Sequence, residues 1–198
     1  MLHFAELCTT TLHTWPTTAD ALDYSDTLIL DLDPFNLPFS TVQQVALVGK
    51  DVLDELQLRG YIKTSGATGL HILVPIIPNT FSHNRVRLIA AAIAKLIVDR
   101  RPDIATVERL IRDRKGKVYV DFGQNGRGRT MAAVYSPRAR SAAPVSTPLR
   151  WEELQQPINP DAFTMRTIFE RLDRLGDLFG TMKQDRQDIG PFCEALHS

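Results

Sequence analysis

Two β-prone segments that follow each other with no helix between them constrain the fold more than any other feature. Segments 61–65 and 70–76 are separated only by the Gly-Ala-Thr-Gly of residues 66–69, a loop of hairpin length. Apolar residues with helical periodicity lie on both sides of this predicted hairpin, over about 40–58 and 82–100. Strands that run back to back exclude the regular alternation of strand and helix that parallel α/β folds require.

The remaining apolar pattern completes an α+β layer structure. Further strands are predicted over 27–33, 117–122 and 131–135, a Pro- and Ser-rich loop over 136–148, and a C-terminal amphipathic helix over about 161–182. The order of the main elements, β-α-β-β-α-β with a C-terminal helix, is that of a ferredoxin-like or RRM-like sheet. A chain of 198 residues suits one domain, and we expect 1–198 to fold as a single unit.

The distribution of charge is more informative than its sum. With 23 basic and 23 acidic residues the net charge is zero, which counts against a strong nonspecific affinity for nucleic acid. Residues 122–151 nevertheless contain no Asp or Glu. They carry five arginines: Arg127, Arg129, Arg138, Arg140 and Arg150. Such a stretch is compatible with a polyphosphate channel and equally with a solvated basic face.

Neither a membrane protein nor a disulfide framework is indicated. No apolar run reaches the length of a membrane span, and the first residues lack the pattern of a signal peptide. Cys8 and Cys193 lie near opposite ends without metal-ligand spacing, so we expect free thiols in a reducing cytoplasm.

Three aspartates near the ends of predicted strands are candidates for a metal site. Asp31 and Asp33 are two residues apart on one strand and therefore project from the same face. Asp121 ends a strand in which Val118 and Val120 form the other face, so pairing of the two strands would bring all three carboxylates together. Hard oxygen ligands suit Mg²⁺ or Mn²⁺, and this cluster could hold two ions for in-line displacement at phosphorus.

Other interpretations of the Asp-x-Asp pair remain open on this evidence. Such a pair at a strand end is often a loop device or a helix cap. The string LILDLDPF also resembles the nucleophile motif of haloacid-dehalogenase-type phosphatases, in which the first Asp is phosphorylated. Phe35 stands where that family has Thr or Val, and its alternating α/β order is missing here, so we disfavour this interpretation.

Three longer strings carry a resemblance to a known family. They are KTSGATGLHI over 63–72, VYVDFGQNGRG over 118–128 and YSPRARSAAPVSTPLRWEEL over 135–154. Together with LDLDP over 30–34, they resemble in order the catalytic motifs of the polymerase domain of bacterial ligase D. That domain belongs to the archaeo-eukaryotic primase superfamily, and the resemblance runs from about residue 13 to 182.

The resemblance implies roles for ten residues. Asp31, Asp33 and Asp121 would be the ligands of Mn²⁺ or Mg²⁺ in a two-metal site, and Arg138 would bind the triphosphate with its fork of donors. Ser65 and His71 would bind the phosphates and sugar of the incoming nucleotide. The further positions expected to contact nucleotide are Arg114, Gln124, Thr68 and, in the string LHTWP, His13.

Two departures from the family pattern affect the expected activity. Thr68 stands where the glycine loop usually carries a lysine, so a hydroxyl replaces a cation beside the triphosphate. The family also has an N-terminal layer that helps to hold the template, the 5′-phosphate and the base, and we find nothing equivalent before residue 13. A minimal polymerase, a second chain that supplies the layer, and loss of template-directed synthesis are the three expectations. A sheet left open at this place would favour a homodimer.

The resemblance therefore implies a metal-dependent nucleotidyltransferase of the primase-polymerase type. We expect it to add NTP or dNTP, with ribonucleotides readily used, to DNA 3′ ends in double-strand-break repair by non-homologous end joining. The expected partners are DNA ends or a primer-template, an ATP-dependent DNA ligase and a Ku-like end-binder, in the cytoplasm near the nucleoid. The alternative is an accessory module that binds nucleotide or DNA ends with weak catalysis.

Overall fold

The computed structural model describes residues 10–195, with side chains described as far as Phe192. The strands in this range are β1 (His13–Thr14), β2 (Tyr24–Ser25), β3 (Thr27–Asp33), β4 (Tyr61–Thr64), β5 (Leu70–Pro75), β6 (Phe81–Ser82), β7 (Ala105–Thr106), β8 (Val118–Asp121), β9 (Met131–Ala132) and β10 (Pro148–Leu149). The α-helices are α1 (Phe39–Glu55), α2 (His83–Arg100), α3 (Ile168–Leu175) and α4 (Gly190–Ala195). Short 3-10 helices lie at Ile111–Asp113, Gly123–Asn125, Trp151–Gln155 and Pro160–Ala162.

A six-stranded sheet in the order β10-β4-β5-β3-β8-β7 is the centre of the fold. Every pair of neighbours in it is antiparallel except β7 and β8, which are parallel. The pairs β1–β9 and β2–β6 form separate two-stranded ladders. Because β3 has antiparallel partners on both sides, the sheet does not have the alternating α/β order that the phosphatase interpretation requires.

The strand β3 divides its side chains between the core and the opposite face of the sheet. Leu28, Leu30 and Leu32 are fully buried in the core that α1 and α2 cover. Asp31 and Asp33 alternate with these leucines and therefore project from the other face. The helices contribute apolar side chains of one stripe each, among them Val42, Val45, Val52, Ile89, Ile93 and Ile97. Burial of this apolar face is what holds β3 in place and leaves its polar face to an open cleft.

The predicted C-terminal helix over 161–182 is wrong in extent. Only α3 is α-helical there, because Phe163 has a non-helical ψ of 85° and Gly176 ends α3 with a φ of 69°. On the N-terminal side the Thr167 hydroxyl donates to the carbonyl oxygen of Ala162 at 2.7 Å and accepts the N–H of Thr164 at 3.0 Å. A threonine hydroxyl that takes local backbone partners competes with helical hydrogen bonds.

Two other boundaries also differ from the prediction. The strand expected over 131–135 is confined to β9, since Tyr135 has a φ of 61° and turns the chain. The helix expected to reach residue 58 ends at Glu55, because Gln57 has a φ of 57°. The loop expected over 136–148 contains isolated bridges, such as Pro137 with Val145, before β10 begins.

The α+β class is confirmed, whereas the chain contains short strands such as β6 and β7 beyond the six elements predicted. Within the described range no helix combines the length and apolarity that a bilayer crossing needs. Cys8 lies outside the described residues and the side chain of Cys193 is not described, so their state as free thiols stays a prediction. The single-domain expectation also stays a prediction.

Candidate active site

Four polar side chains lie in one row across four neighbouring strands. The register pairs Lys63 of β4 with His71 of β5, His71 with Asp31 of β3, and Asp31 with Asp121 of β8. Directly paired residues project from the same face of a sheet, so the row stands on the face opposite the leucine core. Asp33, two residues beyond Asp31, lies on this face next to the row.

Two of the three carboxylates are held by partners of their own. Oδ2 of Asp33 accepts a hydrogen bond from Arg114 at 3.0 Å, and the guanidinium of Arg114 lies over the Tyr119 ring, 4.5 Å from its centre. Oδ1 of Asp121 accepts the N–H of Gly123 at 2.7 Å and the Tyr119 hydroxyl at 3.1 Å. Oδ2 of Asp121 accepts the Gln124 amide at 3.2 Å. Tyr119 therefore links the two aspartates: its ring contacts Arg114, the partner of Asp33, and its hydroxyl donates to Asp121.

Asp31 differs from its two neighbours in its electrostatics. Burial, followed by repulsion from Asp121 and Asp33, raises the pKa of Asp31 from 3.8 to about 7. A carboxylate in this situation is stabilised by a cation that neutralises the cluster. The chemistry of the donor set fits Mg²⁺ or Mn²⁺. Among residues 10–195, however, no three His, Cys, Asp or Glu side chains already converge as a metal centre.

The other end of the row is a lysine that the sequence interpretation did not single out. Lys63 is only 1% exposed, and its Nζ lies 2.8 Å from Nδ1 of His71. Nε2 of the same ring lies 3.4 Å from Oδ1 of Asp31. Burial lowers the pKa of Lys63 from 10.5 to about 7, and burial followed by the positive charges of Lys63 and Arg138 lowers the pKa of His71 well below 6.5. His71 is therefore a neutral imidazole between a lysine and a carboxyl group.

The glycine loop between β4 and β5 is ordered by Ser65. Oγ of Ser65 accepts the N–H groups of Ala67 and Gly69, both at 3.1 Å. The Ser65 hydroxyl is therefore the present acceptor of these two backbone N–H groups. Gly66 has a φ of 69°, and a Cβ at Gly69 would collide with the carbonyl oxygen of Leu32. The loop thus packs directly against the strand end that carries Asp33.

A cleft of about 290 Å³ lies over this face and gathers most of the residues named from the sequence. Its lining includes His13, Asp31, Asp33, Ser65, Thr68, His71, Gln124 and Arg138. Asp121 and Arg114 do not line it but contact residues that do, Gln124 and Asp33. Burial, followed by the charges of Arg138 and Lys63, lowers the pKa of His13. The ten residues therefore belong to one region although they come from five separate parts of the chain.

Three further residues at this site were not given individual roles by the sequence interpretation, which named Arg140 only as part of the basic stretch. Arg140 lines the cleft beside Arg138, and Tyr119 bridges Arg114 and Asp121. Asn125 is fully buried and binds both the N–H and the carbonyl oxygen of Ile29 at 2.8 Å. Asn125 and Tyr119 lie in the string 118–128 and Arg140 lies in the string 135–154. The family resemblance therefore covered these residues, but hydrophobic periodicity did not distinguish them from their neighbours in the same strings.

The amino-acid sequence is similar to those of known proteins. The model of the LigD primase-polymerase domain family matches residues 1–179. The chain belongs to this family. A multifunctional non-homologous end joining protein LigD of Pseudomonas aeruginosa is 36% identical over 164 residues, which are 82% of this chain and 19% of that protein. A bifunctional LigD protein of Bacillus subtilis is 32% identical over 171 residues, 86% of this chain and 28% of that protein.

The LigD fold is also shared at the level of solved structures. The polymerase domain of Mycobacterium tuberculosis ligase D in complex with DNA superposes with a TM-score of 0.81 at 25% sequence identity. The match covers 93% of this chain and 67% of that chain. The expectation that the chain belongs to the LigD family is thereby confirmed. The chain spans less than a third of the length of the LigD proteins of Pseudomonas aeruginosa and Bacillus subtilis.

Proposed function

We propose that this LigD-family chain is the catalytic core of a metal-dependent nucleotidyltransferase that adds ribonucleotides or deoxyribonucleotides to DNA 3′ ends. The single observation that carries the proposal is the row of Lys63, His71, Asp31 and Asp121, with Asp33 beside it, under a cleft that Arg138 lines. The six long elements from β3 to β8 would be the β-α-β-β-α-β core of the primase type. A site that takes its carboxylates from two strands and His71 and Lys63 from two more is more specific than any one motif.

The proposed chemistry assigns tasks to six side chains in or beside the cleft. Asp31, Asp33 and Asp121 would hold Mn²⁺ or Mg²⁺. When bound, such ions lower the pKa of an attacking hydroxyl and neutralise the leaving pyrophosphate. Arg138 would bind triphosphate oxygens through its planar fork, and His71, which lines the same cleft, would contact the nucleotide beside it. Arg114 shares Asp33 with any cation that binds there, because its guanidinium donates to Oδ2 and leaves Oδ1 outside this hydrogen bond.

The proposed partners are suggested by the names of the similar proteins. The solved neighbour is a ligase D polymerase domain in complex with DNA, so we propose DNA ends or a primer-template as the ligand here. The relatives are bifunctional and multifunctional end-joining proteins. We therefore propose an ATP-dependent ligase and a Ku-like end-binder as partners, in the cytoplasm. A homodimer is a further proposal, and light scattering across a concentration series that gives only monomer would contradict it.

Three observations favour a second candidate, an accessory module with weak catalysis. Thr68 lines the cleft in place of the family's lysine, the net charge of the chain is zero, and Arg114 holds Asp33. Each of these weakens the binding of metal–nucleotide without removing a carboxylate. This candidate predicts metal-dependent nucleotide binding without incorporation.

An incorporation assay together with a nucleotide-binding measurement distinguishes the two candidates. Labelled ATP and dATP are offered with Mn²⁺ to wild type and Asp33→Ala on a gapped duplex that carries a 5′-phosphate. Incorporation by wild type that disappears in Asp33→Ala supports the polymerase. No incorporation, together with Mn²⁺-dependent nucleotide binding in equilibrium dialysis, supports the accessory module. Absence of both would contradict both candidates.

Mn²⁺ is expected to stabilise the protein more at alkaline than at acidic pH. Because the pKa of Asp31 is raised from 3.8 to about 7 on folding, the folded state keeps a proton between these values that the unfolded state has lost. Without metal, this group therefore lowers stability as pH rises through that window. A cation must displace the proton, so below about pH 7 its affinity falls by up to about tenfold, or 1.4 kcal/mol, per pH unit.

Thermal unfolding with and without Mn²⁺ over a pH series measures this effect. The rise in Tm caused by Mn²⁺ should grow between about pH 5 and pH 7 and then level off. The same series on Asp31→Asn should lose the pH dependence. An equal Mn²⁺ effect on wild type at every pH would show that Asp31 is not where the cation competes with a proton.

A further inference from the structure

Arg138 is the more buried of the two arginines that line the cleft. Its N–H donates to the carbonyl oxygen of Pro144 at 2.8 Å. A Cβ at Gly66 would lie 2.7 Å from Cγ of Arg138, so the stem of this arginine packs directly on the glycine loop. The side chain is half-buried and lines the cleft together with Asp31 and Ser65. Arg138 is therefore held at the inner part of the cleft.

Arg140 is the exposed arginine of the same cleft. Ala67 and Thr68 of the glycine loop also line the cleft, and Thr68 is exposed as well. The N–H of Arg140 donates to the carbonyl oxygen of Arg138, and its own carbonyl oxygen accepts the N–H of Ala143, both at 2.8 Å. The backbone of Arg140 is thereby fixed two residues beyond Arg138, and its guanidinium belongs to the outer rim of the cleft.

The guanidinium of Arg140 has no carboxylate partner among residues 10–192. The equally exposed Arg127, by contrast, pairs with Asp23 at 2.8 Å. Residues 122–151 contain no Asp or Glu, so no neighbour along the chain neutralises Arg140. A guanidinium in this situation offers its donors to the oxyanions of a ligand in the cleft.

The direction of a bound triphosphate follows from where the carboxylates and the arginines lie. In-line displacement takes place at the α-phosphate, which therefore has to lie at Asp31, Asp33 and Asp121, where the ions would bind. The β- and γ-phosphates carry the negative charge that the two guanidinium groups attract. Because Arg138 lies at the inner part of the cleft and Arg140 at its rim, the phosphate farthest from the carboxylates is the one that reaches Arg140.

We infer that Arg140 binds the terminal phosphate of the nucleoside triphosphate, beyond the phosphates that Arg138 binds. The inference rests on the proposed function, since it takes a triphosphate as the substrate. Arg140 is then the residue by which the cleft distinguishes a triphosphate from a diphosphate, because a diphosphate ends at Arg138 and leaves Arg140 without a ligand. The same contact persists in the leaving pyrophosphate, which carries the terminal phosphate away.

The binding of ATP and ADP to Arg140→Gln tests the inference. Both affinities are measured by isothermal titration calorimetry with Mn²⁺ and without DNA, so that no nucleotide is consumed. Arg140→Gln is expected to weaken ATP binding by about tenfold, the effect of one hydrogen bond between charged groups, and to change ADP binding by less than about twofold. Arg138→Gln is expected to weaken both nucleotides. A structural fault in the loop would also weaken both, so a loss confined to ATP identifies a contact with the terminal phosphate.

Arg129→Gln is the matched control, since Arg129 is an exposed arginine of the same acid-free stretch that does not line the cleft. It should change ATP and ADP binding alike, by less than about twofold. Equal weakening of ATP and ADP by Arg140→Gln, or an effect no larger than that of the control, would overturn the inference. Unchanged ATP binding with a loss of DNA affinity would overturn it too and assign Arg140 to a DNA phosphate. If wild type binds neither nucleotide, the inference and the proposed function both fail. If the expected pattern appears without incorporation, the inference stands and the polymerase activity fails.

Discussion

Replacement of Asp31 by asparagine is expected to abolish metal-dependent incorporation while leaving the fold as stable as before or more stable. Asp31 is the carboxylate that neighbours His71 on one side and Asp121 on the other, so its loss removes the centre of the proposed metal site. We expect incorporation to fall by roughly 10³-fold or more, since several kcal/mol of transition-state stabilisation depend on the ions. In the free protein the same carboxylate is half-buried and repelled by two others, and asparagine removes that repulsion.

A loss of incorporation together with unchanged or higher stability distinguishes a metal ligand from a structural residue. Asparagine offers both an acceptor oxygen and a donor N–H, so it can face Nε2 of His71 in either tautomer and the row of side chains need not rearrange. Activity is measured by nucleotide incorporation and stability by thermal unfolding without metal. Asp99→Asn, an exposed carboxylate on α2, is the matched control and should change neither. A clear fall in the Tm of Asp31→Asn would indicate that Asp31 stabilises the fold. It would contradict the view that Asp31 is a metal ligand whose charge lowers the stability of the metal-free protein.

Replacement of Asn125 by alanine is expected to lower the free energy of unfolding by about 2–4 kcal/mol, because it leaves buried backbone groups without partners. Asn125 accepts the N–H of Ile29 and donates to the carbonyl oxygens of Ile29 and Phe122, each at 2.8 Å. The strand β8 pairs with β3 only at residues 31–33, so this side chain takes the place of a strand beside Ile29. Alanine would leave the two backbone groups of Ile29 unpaired in the interior.

Urea unfolding measures the stability change of Asn125→Ala, and incorporation measures the effect on the site. The turn Gly123–Asn125 also carries the N–H that binds Asp121, so activity should fall with stability even in the folded variant. Asn159→Ala is a matched control, since Asn159 is exposed and only caps a 3-10 helix; its cost should stay near 1 kcal/mol or below. A stability loss no greater than that of the control would mean that water replaces the Asn125 side chain.

Much of the local structure could be predicted from residue patterns. The apolar alternation of 27–33 predicted a strand with Asp31 and Asp33 on one face, and the leucines on the other face are indeed buried. The hairpin and both long helices were placed within a few residues, since their periodicity is strong. The C-terminal helix was overextended, because the backbone conformations of Phe163 and Gly176 depend on local hydrogen bonds that apolar periodicity does not show.

By itself, the amino-acid sequence determined the family and the polar character of one face of β3. Only the tertiary structure decided which residues meet there. Asp31 joins Asp121 from 90 residues along the chain and Lys63 joins Ser146 from 83 residues along it, through the strand register and one side-chain hydrogen bond. The physical reason is that a strand's periodicity encodes which face is buried but not which strand lies beside it or in which register. That choice is made when α1 and α2 bury the leucine face of β3 and leave its opposite face, with Asp31 and Asp33, to the cleft.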